Sequence, residues 1–102
     1  MKIELLYFDG CPTHEKALEI LKECVDEYAP GSKIEIIKVE SEQHAAAEKF
    51  LGSPTLRIQG LDIDPLAKGK DDYGMKCRIY QYNGQFGGTP AKEMIIKALK
   101  DA

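Results

Sequence analysis

Cys11, Cys24 and Cys77 are the only thiols in this 102-residue chain, and Cys11 stands where a thiol becomes reactive. It follows the break Asp9-Gly10 and opens the tetrad Cys11-Pro12-Thr13-His14, ahead of a helical pattern from Glu15 to Tyr28. A cysteine at a helix N-terminus has its thiolate favoured by the helix dipole and by free backbone N–H groups. Pro12 suits the first helical turn, where its missing N–H would have had no partner. His14 lies one turn up the same face, so it is expected to face the sulfur. As a neutral imidazole it would take the thiol proton, and as an imidazolium it would stabilise the thiolate. Asp9, two residues before Cys11, would partly oppose that. Cys24 falls on the apolar face of the helix beside Leu21 and Val25, where core packing is expected. A second cluster, Leu51-Gly52-Ser53-Pro54-Thr55, precedes another apolar strand.

The elements that must position these residues follow from periodicity. Strands are expected over 2–8, 33–39, 55–59 and 77–82, and helices over 13–28, 42–51 and 90–101. Pro30-Gly31 ends the first helix. The second strand is rich in β-branched residues. Ser41 is the expected N-cap of the second helix, and Thr89-Pro90 are the expected start of the third. The order β-α-β-α-β-β-α implies an α/β fold: a parallel, right-handed first β-α-β unit, a closing antiparallel pair, and a four-stranded mixed sheet with helices on both faces. The 60–76 connection is long, and such segments are usually functional or mobile. Asn83-Gly84 carries a type I′ turn signal. Because a helix follows, we read it as a return across the sheet and not as a hairpin tip.

That topology bears on Cys77. The strand after Pro54 runs away from Cys11, so a strand at 77–82 should begin at the far end. Cys77 would then lie about four residues down the sheet, ~13 Å at ~3.3 Å per residue. A disulfide needs Cα atoms within ~7 Å. Strand packing is the expectation, with a resolving role for Cys77 only if the 60–76 loop refolds.

Composition narrows the setting. The length suits a single domain, 1–102, with one modest core. A net charge of −3 and the absence of a basic block argue against nucleic acid and anionic membrane as partners. No apolar run reaches the length of a membrane span. The N-terminus lacks a signal-peptide pattern, which leads to an expectation of a cytoplasmic location. Three cysteines without paired spacing do not read as a disulfide framework. Cys-x-x-His offers two metal ligands where zinc needs three or four, so no metal site and no cofactor are expected, and His44 is read as a surface residue.

The element order, Cys11-Pro12-Thr13-His14 after the first strand and Ser53-Pro54-Thr55 before the third resemble the thioredoxin superfamily. The runs Tyr7-Phe8-Asp9-Gly10-Cys11-Pro12, Leu51-Gly52-Ser53-Pro54-Thr55 and Tyr73-Gly74-Met75-Lys76-Cys77-Arg78-Ile79-Tyr80 look like those of small, uncharacterised prokaryotic thioredoxin-like proteins with a Cys-Pro-x-His motif. The resemblance implies a thioredoxin-like fold and a cis bond before Pro54, with that proline beside the reactive cysteine. It also implies free backbone next to Pro54 that pairs with a bound thiol peptide or glutathione. The chain departs from the dithiol members of the family at His14, where they carry a second cysteine. The expected function is therefore that of a thiol-dependent redox protein that forms mixed disulfides through a single active-site cysteine, with Cys11 and His14 as the catalytic pair. Pro12, Thr13, Ser53, Pro54 and Thr55 would hold a small thiol or a cysteine-containing protein. The alternatives are a non-catalytic carrier that uses Cys11 for a thiophilic metal ion, and a redox-inactive interaction domain.

Overall fold

Residues Ile3-Glu4-Leu5-Leu6-Tyr7 form β1 at the centre of the sheet, and their side chains divide the core in two. The computed structural model describes all 102 residues. Ile3 and Leu5 face a larger cluster built with Ala17, Leu21 and Cys24 of α1 (His14–Tyr28) and Ile95 and Leu99 of α3 (Lys92–Asp101). Leu6 faces a smaller one with Val39, Phe50 and Ala45, the last from α2 (Glu42–Ala47). Successive strand residues point to opposite faces, so one strand serves both layers.

The sheet is four-stranded and mixed, in the order β2-β1-β3-β4. β2 (Ile34–Lys38) runs parallel to β1, and β3 (Thr55–Ile58) antiparallel to it. The fourth strand corrects the sequence reading. It is β4, Leu61–Asp62, which folds back on β3 directly after a two-residue turn. Gln59 and Gly60 both have positive φ, 55° and 80°, the geometry that closes a tight hairpin. The expected strand at 77–82 therefore has no place in this sheet. Only Tyr80–Tyr82 is extended, as β5, and it pairs with β6, Gln85–Gly87. Asn83-Gly84 is the tip of that hairpin, with φ of 51° and 78°, so the turn signal had its ordinary meaning.

The helices also end differently from the expectation. α2 stops at Ala47, and Lys49 takes a positive φ of 55°. α3 begins after Ala91, not at Thr89-Pro90, because Ala91 is still extended at ψ 144°. The Ser53–Pro54 peptide is cis, in keeping with the expectation for this bond. No helix is long and apolar enough to cross a membrane.

Candidate active site

The strand-to-helix turn holds Cys11 almost wholly out of solvent, at 1% exposure. The backbone N–H of Cys11 donates to the Phe8 carbonyl at 3.2 Å and closes the turn. Cys11 Sγ lies 3.1 Å from Thr13 Oγ1 and 3.3 Å from the Ser53 carbonyl, to which the thiol donates. Thr13 is the N-cap of α1, yet its side chain does not cap the helix. Its hydroxyl instead donates to the Gly88 carbonyl at 3.0 Å while touching the sulfur. Gly88 is needed there: a Cβ would stand 2.9 Å from Thr13 Cγ2.

Burial opposes charge on Cys11 more than any other single influence. The Thr13 and Ser53 hydroxyls, the Thr13 backbone N–H and the Cys77 thiol, all able to donate to a Cys11 thiolate, together outweigh it and hold the pKa below the ordinary thiol value. Ser53 Oγ is the one buried side-chain polar atom without a partner at normal hydrogen-bond distance. A thiolate at Cys11 is an acceptor that its proton can serve.

His14 behaves differently from the expectation. Its ring stacks on Tyr7, with centroids 4.2 Å apart, and Nδ1 meets the Cys11 carbonyl at 2.9 Å. A carbonyl only accepts, so Nδ1 carries the proton in this contact. The imidazole therefore braces the Cys11 backbone. Asp9 is engaged with Lys38 Nζ at 2.7 Å.

The Pro54 loop departs from the expectation of an open edge. Ser53 N donates to the Lys76 carbonyl at 2.8 Å, and Arg78 N donates to the Ser53 carbonyl at 2.9 Å. Segment 74–80 thus lies along the loop as a strap, forming a parallel bridge between Ser53 and Cys77. The strap is pinned along its length. Gly74 N donates to the Phe50 carbonyl at 3.0 Å, and Met75 N to Glu42 Oε1 at 3.1 Å. The Tyr80 hydroxyl donates to the Pro54 carbonyl at 2.6 Å. Arg78, 8% exposed, makes a bidentate pair with Asp62 at 2.7 and 2.8 Å and reaches Thr55 Oγ1 at 3.3 Å. Its guanidinium also lies 4.5 Å from the centre of the Tyr80 ring. Such a fork fixes orientation as well as charge. Thr55 is buried and donates to the Gly52 carbonyl at 2.6 Å, so it supports the loop and does not face a partner. Pro12 is exposed on the turn, and Pro54 is buried beneath the strap.

The strap brings the exposed Cys77 to Cys11, which overturns the separation expected from a strand at 77–82. The physical reason is the tight turn at Gln59-Gly60. It completes the sheet early and frees the following segment to return to the Cys11 end. All three cysteines are free thiols. Desolvation, the charge of a Cys11 thiolate and the hydrogen bond given to it all raise the Cys77 pKa. Cys24 is fully buried and its thiol is pushed up by that burial, as core packing requires.

The chain matches no family model, no curated protein and no solved structure.

No group of three or more His, Cys, Asp or Glu side chains is placed to hold a metal ion. An opening of about 310 Å³ is walled by Phe8, Gly10, Lys38, Glu40 and Met75, and neither Cys11 nor Cys77 lines it. A larger cleft of about 400 Å³ lies elsewhere, between Ile20, the β5–β6 hairpin and the start of α3. Sequence reasoning missed Arg78, Asp62, Tyr80 and Gly88. The one available signal was an arginine inside the otherwise apolar alternation Cys77-Arg78-Ile79-Tyr80, since a buried arginine demands a carboxylate.

Proposed function

We propose that the protein is a thiol-dependent redox protein of thioredoxin-like build, whose exchange centre is the pair Cys11–Cys77. The observation that carries this reading is the bridge of Cys77 to Ser53, the residue whose carbonyl accepts from the Cys11 thiol, so that a buried and an exposed cysteine adjoin one residue. The tetrad Cys11-Pro12-Thr13-His14 has only one sulfur, and the strap supplies the second. Disulfide exchange needs a thiolate, a sulfur within reach and a stabilised leaving group. Cys11 meets the first and last needs through Thr13 and Ser53, and Cys77 meets the second. Partners are a small thiol or a cysteine-containing protein, which would accept or donate the two electrons.

The test is to equilibrate the reduced protein with glutathione disulfide and map its disulfides by non-reducing peptide mass analysis. The expected product is a Cys11–Cys77 bond with Cys24 free. Cys11 and Cys77 remaining unlinked across the whole range of glutathione ratios would sink the proposal.

A further inference from the structure

The two sulfurs differ in access, and this decides where a partner attaches. Cys11 is 1% exposed, under the Ser53 carbonyl and the Thr13 side chain, whereas Cys77 is exposed. Along the strap, Arg78 and Tyr80 are turned inward and buried, while Cys77 and Ile79 are turned outward. The backbone of Ser53, where an outside peptide would dock to approach Cys11, is already paired at both its N–H and its carbonyl. A partner that reached Cys11 directly would have to displace the strap and with it the buried Arg78–Asp62 pair.

We infer that Cys77 is the partner-facing sulfur and Cys11 the internal one, so that mixed disulfides form on Cys77. This rests on the Cys11–Cys77 exchange centre and names how a partner enters it. From the oxidised protein, a partner thiolate attacks Cys77 Sγ. A partner–Cys77 bond forms, the Cys11–Cys77 bond breaks, and its electron pair leaves on Cys11 as a thiolate. A second partner thiolate then attacks the partner sulfur of the mixed disulfide. A partner disulfide forms, the bond to Cys77 breaks, and Cys77 leaves as a thiolate that takes a proton from water. The partner thiols lose two electrons and the protein disulfide gains them. In reverse, a partner disulfide is reduced through the same Cys77 adduct, with Cys11 then displacing the partner. The asymmetry suits these roles: attack falls on the accessible sulfur, and the thiol of lower pKa leaves faster. Cys11 has the lowered pKa and Cys77 the raised one.

The experiment compares Cys11→Ser and Cys77→Ser, each mixed with glutathione disulfide, and follows adduct mass with time. Cys11→Ser should accumulate a stable one-to-one adduct on Cys77. Cys77→Ser should react at least tenfold more slowly. Equal rates, or faster capture by Cys77→Ser, would overturn the assignment. A second measurement needs no variant. The oxidised, unmutated protein is treated briefly with less than one equivalent of glutathione, quenched in acid and digested. The glutathione should sit on the Cys77 peptide, and an adduct on the Cys11 peptide would refute the inference while leaving the exchange centre intact. Failure to form any Cys11–Cys77 bond would instead remove the exchange centre itself.

Discussion

At Cys11 part of what acts on the sulfur is local, the Thr13 hydroxyl and backbone N–H, while Ser53 and Cys77 reach it from far along the chain. At Cys77 nothing local holds the sulfur in place. Its segment is fastened by Ser53, Phe50, Glu42, Asp62 and Pro54, all distant in sequence. The first region is a turn that supplies part of its own chemistry through Thr13. The second is a strap whose chemistry exists only while its anchors hold. A local turn tolerates changes elsewhere in the protein, while a strap fails when any strong anchor is cut.

The largest effect is therefore expected at Arg78. Arg78→Met keeps the stem but removes the fork, leaving Asp62 and Asp64 facing one another without their cation. Breaking a buried pair this way costs about 3 kcal/mol. A urea titration should show that loss, and formation of the Cys11–Cys77 bond should slow because the strap lifts. An unchanged midpoint would mean that the strap is held by its backbone bonds alone.

Gly52→Ala attacks the same contact from beneath. Gly52 has φ of 129°, and a Cβ there would stand 3.0 Å from the Lys76 carbonyl and 3.0 Å from Arg78 Cβ. A side chain in that backbone region costs about 1–3 kcal/mol. Stability should fall by that order, again with slower Cys11–Cys77 oxidation. The Cys11 thiolate should keep its contacts from Thr13. Loss of those as well would join the two regions that the comparison separates.

Thr13→Val sharpens the comparison from the other side. It removes a hydroxyl bonded to both Cys11 and Gly88, at about 1 kcal/mol, and should raise the Cys11 pKa when thiolate absorbance is titrated in the ultraviolet. The sign of the pH dependence follows. A folded-state thiol pKa below the unfolded value means that the unfolded chain binds more protons between the two, so stability gained from Cys11 grows as pH rises through that window and is lost as pH falls through the folded pKa. Cys77 and Cys24 act in the opposite sense at higher pH, where their raised values make the unfolded chain ionise first. The reduced unmutated protein should thus gain stability from Cys11 on the approach to the ordinary thiol range, and Thr13→Val should lose part of that gain.

The smallest effect is expected at His14. His14→Ala removes the stack on Tyr7 and the bond to the Cys11 carbonyl, worth about 1 kcal/mol together. The thiolate titration should not move. A shifted inflection would show that the imidazole reaches the sulfur after all.

Much of the fold was legible because it depends on short-range pattern. Ile3, Leu5 and Leu6 alternate as a central strand must, Ala17, Leu21 and Cys24 recur at helical spacing, and Ser41 caps α2 by accepting from His44 N at 3.0 Å. Cys11 at the start of a helix was legible for the same reason. The direction of His14 was not, since the Cys11 carbonyl and the Tyr7 ring lie as close to it as the sulfur's side of the turn does, and spacing alone does not choose among them.

By itself the sequence determined the first three strands and the three helices to within a few residues, the place of Cys11 just before a helix and the core position of Cys24, because apolar periodicity acts within a few residues. Tertiary structure alone decided that β4 closes at Gln59-Gly60, that segment 74–80 returns over the Pro54 loop, and that Cys77 meets Cys11. Those outcomes depend on hydrogen bonds and one buried ion pair between residues far apart in the chain. Such pairings leave no period in a sequence, and their strength comes from desolvation that exists only once the chain has folded around them.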